Sequence, residues 1–157
     1  MTFKLRLACA LMLAMPAAAL AHSFTKGDIV VSHPWARATP DGATAGAGYV
    51  KITNNGKAAD RLTGGALEGA DAIEIHDMTM DGTVMKMRQL KDGLEIAPGA
   101  TIEIKPGGMH LMFTGLKKPN AAGPDRKATL TFEKAGAIDV EFRIEPIGAT
   151  ESAHHKH

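Results

Sequence analysis

Four side chains in the middle of this chain are of types that bind soft metal ions. His76 and Met87 lie on either side of a short turn sequence, and His110 and Met112 follow a second one. Imidazole nitrogen and thioether sulfur together favour Cu(I) over the hard ions Mg²⁺ and Ca²⁺. A thioether has no proton to lose before it binds a metal, and it cannot be oxidised to a disulfide. These residue types therefore suit a protein that holds copper in an oxidising compartment.

The methionines are concentrated around the same histidines. Six of the nine fall between positions 78 and 112, whereas a core that uses methionine as a gap filler does not usually confine it to one segment. Met78 and Met85 are therefore further candidate ligands, although solvent-facing loop positions are the favoured interpretation of Met78 and Met80. Because Met85 and Met87 alternate with basic residues, the pattern does not decide which of them is the ligand.

Short alternating apolar runs separated by Gly, Pro, Asn and Asp predict an all-β fold. Turn sequences such as Asn54-Asn55-Gly56 and Asp81-Gly82 provide the backbone freedom that tight turns need. Several short strands at this spacing are typical of a β-sandwich or Greek-key barrel, here as a single domain. The predicted strands span residues 28–32, 48–53, 72–77, 84–90, 101–105, 109–114, 128–133 and 138–144.

Strand alternation predicts which of the candidate ligands share a face. Ile73 and Ile75 occupy one face of their strand, so His76 projects from the other. In the strand over 109–114, Leu111 and Phe113 form the apolar phase. His110 and Met112 therefore project together from the opposite face and make half of a metal site.

Residues 1–21 have the features of a secretory signal peptide. Lys4 and Arg6 supply the positive start, an apolar run follows, and Ala19-Leu20-Ala21 fits the cleavage rule. The run is too short for a comfortable transmembrane span and no second candidate follows, so we expect no membrane insertion after cleavage. Cys9, the only cysteine, precedes most of the run, and we expect it to be removed with the leader.

Cleavage after Ala21 would leave an exported domain over 22–148 and a flexible histidine-rich tail over 149–157. Without cysteine, that domain cannot form a blue-copper centre, a thiolate-bridged copper pair or a disulfide. The tail histidines could bind Cu(II) or Zn²⁺ weakly, and an inert tail is an equal alternative; they are His154, His155 and His157.

Charge and motifs exclude several classes of function. The chain has 18 Lys and Arg residues, two of them in the predicted leader, against 17 Asp and Glu residues. This balance gives no reason to expect nucleic acid or an anionic membrane surface as a partner. No nucleophile elbow, zinc-protease helix or phosphate-binding glycine loop is present, and we expect no enzymatic activity.

A series of short motifs resembles the PCu(A)C family of periplasmic copper chaperones. The similarity spans about residues 29–147. The motifs occur in order along the chain: Pro34-Trp35-Ala36-Arg37, the strand over 49–54, Glu74-Ile75-His76, Met85-Lys86-Met87-Arg88, Lys105-Pro106-Gly107-Gly108, His110-Leu111-Met112, Gly115-Leu116-Lys117 and Leu130-Thr131-Phe132-Glu133-Lys134-Ala135-Gly136.

This resemblance implies a cupredoxin-like fold and one Cu(I) per chain, held by His76, Met87, His110 and Met112. It also implies a periplasmic metallochaperone that delivers copper to the copper-site subunit of cytochrome c oxidase, alongside a thioredoxin-like copper chaperone. Some members of the family carry a C-terminal Cu(II) site, to which the tail of this chain bears a faint similarity.

Three alternatives to delivery fit parts of the sequence. The first is a periplasmic copper sequestration or resistance protein, which needs the same metal site. The second is a copper monooxygenase that uses a free N-terminal His22 together with a second histidine. The third is a metal-free β-sandwich adhesion module.

Overall fold

The computed structural model describes residues 22–153. The predicted signal peptide, with Cys9, and the tail histidines His154, His155 and His157 lie outside the described residues. No helix in the described part of the chain is long and apolar enough to cross a membrane.

The fold consists of β-strands, as the sequence predicts. Of the eleven strands in residues 22–153, three were not among the predicted ones: β1, β4 and β7. The strands are β1 Ser23–Lys26, β2 Ile29–Arg37, β3 Ala45–Asn54, β4 Asp60–Leu67, β5 Ala72–Asp81, β6 Val84–Gln89, β7 Leu94–Ile96, β8 Thr101–Ile104, β9 His110–Thr114, β10 Arg126–Phe132 and β11 Gly136–Glu145.

The strands form one sheet that closes on itself. Seven of them pair in the order β2-β11-β10-β4-β5-β9-β3, and β3 pairs again with β2. The ring does not follow the chain order, as in a Greek-key barrel, which confirms the all-β, cupredoxin-like prediction. β6 extends the sheet as a hairpin with β5 and, within the described residues, pairs with no other strand.

The interior is filled by the apolar phase of the closed strands. Phe113 and Phe142 are both fully buried and pack edge to face, with ring centroids 5.3 Å apart. Trp35 is buried against Tyr49 with ring centroids 4.5 Å apart. A single continuous core of this kind holds the strands in register without a disulfide.

The beginning of the predicted tail contacts the barrel. Arg37 donates from Nε to the carbonyl oxygen of Ala149 at 2.7 Å. Glu145 accepts hydrogen bonds at Oε1 from the Ser152 hydroxyl, at 3.1 Å, and from the Ala153 amide, at 3.0 Å. Residues 149–153 therefore follow a defined path along the barrel.

Gly48 lets β3 approach the core face of β9, the strand that carries His110 and Met112. A Cβ atom at Gly48 would lie 2.5 Å from Cζ of Phe113 and 3.1 Å from Cε1 of Phe142. Because both rings are fully buried, neither can move away without disturbing its neighbours. The position thus requires glycine for packing rather than for backbone conformation.

Replacing Gly48 by alanine is expected to lower the free energy of unfolding by about 1–3 kcal/mol, the usual cost of overpacking a core. Urea denaturation measures the loss. Gly108→Ala is the matched control, since a Cβ there would approach only the Lys105 carbonyl oxygen, at 3.9 Å. Equal stability of the two variants would contradict this account of β3–β9 packing.

Candidate metal site

The register of β5 and β9 brings the two central histidines together. The strands are antiparallel, with His76 directly opposite His110 and Glu74 directly opposite Met112. The imidazole centroids lie 5.7 Å apart. This distance is short enough for one metal ion to lie between the rings.

The predicted phases of both strands are confirmed. On the inner face, Ile73 and Ile75 of β5 and Leu111 and Phe113 of β9 are buried in the core. Since side chains alternate along a strand, this burial directs the histidines and Met112 outward. His76 is still largely covered, with 14 % of its side chain exposed.

The β5–β6 hairpin supplies a thioether that contacts His110. Met87 lies opposite Met78 in the hairpin register, and its Sδ atom is 3.1 Å from Nε2 of His110. Met87 is itself 50 % exposed. The structure thus brings His76, Met87 and His110 together, with Met112 on the same face one alternation beyond His110.

Met85 occupies a different position from Met87, although both point to the same face of β6. Met85 pairs with Met80 and is 53 % exposed, nearer to the hairpin turn. Neither methionine faces the core. The contact with His110 is made by Met87, so the geometry favours Met87 over Met85 as a ligand beside the histidines.

Met78 and Met80 are strand residues, and their interpretation as loop residues was wrong. β5 continues to Asp81 instead of ending at residue 77, because its pairing with β6 satisfies the backbone of both strands up to the turn. Met80 faces solvent, with 63 % of its surface exposed, and Met78 is partly buried.

Each imidazole makes a hydrogen bond to an oxygen atom of its own strand or of the turn before it. His76 Nε2 lies 2.8 Å from Oε2 of Glu74, and since an ionised carboxylate only accepts, Nε2 carries the proton. His110 Nδ1 lies 3.3 Å from the Gly108 carbonyl oxygen, which also only accepts. In His76 the lone pair that remains is on Nδ1. Nε2 of His110 lies 3.1 Å from the Met87 sulfur, which also only accepts, so either nitrogen of His110 can carry the proton.

Nδ1 of His76 is buried without a hydrogen-bond partner, and no other buried side-chain nitrogen or oxygen atom in residues 22–153 is in this state. Buried polar atoms are nearly always partnered because an unpaired one costs about 1–3 kcal/mol. A histidine that donates one nitrogen to a carboxylate and offers the other to a metal is the usual arrangement at metal sites. The unpaired nitrogen therefore fits the role of a metal ligand.

Glu74 was not singled out among the candidate functional residues. Glu74 alternates with the buried Ile73 and Ile75, which places it on the same face as His76. This alternation is the feature of the sequence that could have identified Glu74. A hydrogen bond between residues two apart on one strand, however, depends on side-chain conformation that alternation does not specify. The structure adds Glu74 as the group that orients His76.

The donor set is soft. Within residues 22–153, no group of three or more His, Cys, Asp and Glu side chains could hold a metal ion. An ion bound between His76 and His110 would have the Met87 sulfur beside it, and thioethers are donors that hard cations bind poorly. Charged side chains lie on the other face of the hairpin, where Asp77 opposes Arg88 and Lys86 pairs with Asp81.

His22, the candidate N-terminal ligand, lies beside His33. The His33 amide donates to the His22 carbonyl oxygen at 2.9 Å, which continues the β1–β2 pairing by one step. A bulge follows in β2, where His33 has a φ of 51°. These two histidines form a pair of their own and are not among the residues that surround His76 and His110.

Comparisons with known proteins identify the family of this chain. Residues 29–144 match the family described as "Putative lipoprotein LpqE-like". The protein named "Putative lipoprotein Lxx21020", from Leifsonia xyli subsp. xyli (strain CTCB07), is 32% identical over 139 residues, which cover 88% of this chain and 82% of the relative.

Solved structures with the same fold carry copper-related names. The "Copper-bound PCuAC domain from PmoF2" is 27% identical, with a TM-score of 0.68, over 80% of this chain and 98% of that one. The "Apo PCuAC domain from PmoF1" is 29% identical, with a TM-score of 0.67, over 80% and 99%. CuI-DR1885 from Deinococcus radiodurans, at 24% identity and a TM-score of 0.59 over 81% and 83%, shows the same fold.

The hydrogen bond of His76 to Glu74 predicts the tautomer of this histidine. In the neutral imidazole we expect His76 to carry its proton on Nε2 and not on Nδ1. Long-range ¹H–¹⁵N NMR spectra distinguish the two forms. Glu74→Ala should turn His76 into a mixture of tautomers, because its proton then lacks a fixed acceptor.

Glu103→Ala is the control for this experiment, since it removes an exposed carboxylate from β8 that does not contact either histidine. It should leave the His76 tautomer unchanged. Finding the His76 proton on Nδ1 in the unaltered protein would contradict the orientation described above.

Proposed function

The chain belongs to the LpqE-like family, and from this membership and its likeness to PCuAC domains we propose that it is a metallochaperone that binds one Cu(I). The observation that carries the proposal is the convergence of the unpaired His76 Nδ1, the His110 Nε2 and the Met87 sulfur on one outer face. Met112 on the same face would be the fourth ligand, which gives a set of two nitrogen and two sulfur donors that Cu(I) accepts.

Each ligand has a separate part in binding the ion. His76 is the buried anchor, because Glu74 holds its ring and only its Nδ1 atom is free. His110 is held more loosely by the Gly108 carbonyl group. Met87 is half exposed on the hairpin, so it is the ligand that an incoming acceptor can displace first.

Release follows from the softness and weakness of the thioether donors. A thiolate binds Cu(I) more strongly than a neutral thioether does, so a cysteine-bearing acceptor can take the ion by exchanging one ligand at a time. The ion stays Cu(I) throughout, and no oxidant or reductant is needed. Protons compete for the imidazoles, which weakens binding in acid.

We further propose that the protein works in the periplasm and supplies the copper-site subunit of cytochrome c oxidase, together with a thioredoxin-like copper chaperone. The family and the Leifsonia protein are both named as lipoproteins, which supports export to the cell envelope. The half-exposed Met87 favours delivery over storage, because a storage site gains from enclosing its ion.

Substituting a ligand is expected to weaken Cu(I) binding more than about 100-fold, since even the outer partners of ligands are worth about 10–100-fold. His110→Ala, Met112→Ala and Met87→Leu should each show this loss in an anaerobic competition titration against a Cu(I) chelator. Met85→Leu is the matched control, because it removes an equally exposed thioether from the same face of β6 and should leave the affinity of the tight site unchanged.

Two outcomes of this titration would count against the ligand set. Unchanged affinity in both His110→Ala and Met112→Ala would remove these residues from the site. A large loss in Met85→Leu with none in Met87→Leu would exchange the roles of the two methionines.

Deleting the gene separates delivery from sequestration. A delivery protein is needed when copper is scarce, so we expect oxidase activity at limiting copper to fall and added copper to restore it. A sequestration protein is needed when copper is abundant, so its loss would instead lower survival at excess copper. Normal oxidase activity at limiting copper would contradict delivery.

A further inference from the structure

The outer half of the β5–β6 hairpin carries a second set of thioethers. Met80 lies directly opposite Met85, and the next pair toward the histidines is Met78 opposite Met87. Directly opposed residues of an antiparallel pair have Cβ atoms about 4.5–5.5 Å apart on the same face. Long, flexible methionine side chains can bring their sulfur atoms to one ion across this distance.

Packing against the core does not explain why these methionine side chains are on the hairpin, because they are exposed to solvent. In the described residues the exposed large hydrophobic side chains are Met80, Val84, Met85, Met87 and Ile147, and four of these five are on the hairpin. A methionine that served to fill the core would be covered. Here the side chains are held in pairs by the register and remain open to solvent.

The two faces of the hairpin are chemically distinct. Asp77, Thr79 and Asp81 of β5 lie opposite Arg88, Lys86 and Val84, and Lys86 forms an ion pair with Asp81. The charged groups thus stabilise one face by pairing with each other. The other face presents only thioethers from the turn as far as His110.

Spacing makes the outer pair a separate position. Met80 lies four residues from His76 on β5, which corresponds to about 13 Å along the strand, so an ion between Met80 and Met85 is not the ion between His76 and His110. Met78 lies between the two positions and can add a third sulfur. The outer position lacks imidazole and is open to water, so it is the weaker of the two.

We propose that Met80 and Met85, with Met78 beside them, form a second soft-cation site made of thioethers alone, which takes Cu(I) or Ag(I) at the outer end of the hairpin. The site is distinct from the proposed tight site, and it rests on the proposed function only for the identity of its physiological ion. It places a weaker soft-metal position between solvent and the histidines.

Silver titration of the full chain with ¹³C-methyl-labelled methionine tests this proposal, with Cys9→Ser in every sample because a thiolate would otherwise take the first silver ion. Ag(I) is a redox-inert substitute for Cu(I), and each methyl signal is assigned with a single Met→Leu variant. We expect the Met87 and Met112 signals to shift with the first equivalent, and the Met80 and Met85 signals to shift with further silver. Met109, which packs against the core, is the internal control and should not shift.

The Met80→Leu/Met85→Leu double variant should keep the shifts of Met87 and Met112. It should also bind one silver ion fewer than the unaltered chain, while silver taken by tail histidines stays the same in both. Both side chains are exposed, so the substitutions should not disturb folding. Met80 and Met85 signals that stay in place under excess silver, or an unchanged silver count in the double variant, would overturn the second site.

The two proposals fail in different ways in this experiment. If Met80 and Met85 respond but Met87 and Met112 do not, the tight site is wrong and the thioether site stands. If only Met87 and Met112 respond, the exposed hairpin methionines do not bind the ion and the inference is overturned, while the proposed function is unaffected.

Discussion

The register of β5 against β9 is the constraint on which the metal site depends. A slip of one residue would move every side chain of β5 to the other face, so His76 would enter the core and Ile75 would face solvent. The core prevents this slip, because Ile73, Ile75, Leu111 and Phe113 are all buried on the inner face. The same apolar residues that stabilise the barrel thus hold His76 opposite His110. Hydrogen bonds to Glu74 and to the Gly108 carbonyl group then orient the two imidazole rings. These bonds set the ring orientations, whereas the packing of the core sets the positions of the two strands.

Much of this arrangement could be predicted from the sequence. The alternation of Ile73 and Ile75 with His76, and of Leu111 and Phe113 with His110 and Met112, fixes the faces of both strands, and all of these predictions hold. The β4 strand was not predicted, and it contains Gly64-Gly65, a dipeptide that is typical of turns. The structure shows that Gly65 allows close approach to β10, since a Cβ atom there would lie 2.2 Å from the Thr129 carbonyl oxygen.

Other features depend on pairing between distant strands, which alternation within one strand does not reveal. β5 runs on past residue 77 because β6 pairs with it as far as Asp81 opposite Val84, and this pairing turns Met78 and Met80 from loop residues into strand residues. The choice between Met85 and Met87 likewise depends on where β6 lies relative to His110. Both methionines share one phase of β6, so only the contact of Met87 with His110 separates them.

The one-sided pairing of β6 has a consequence for the behaviour of the protein in concentrated solution. A strand with an unpaired backbone edge and exposed apolar side chains can join the edge of another molecule and start aggregation. Lys86 and Arg88 interrupt the methionines of this strand, and two copies that met edge to edge would bring like charges together. The strand is also only six residues long. The basic residues between the methionines therefore oppose self-association through this strand. They allow an edge strand with exposed methionines to remain accessible to solvent without a further strand covering it.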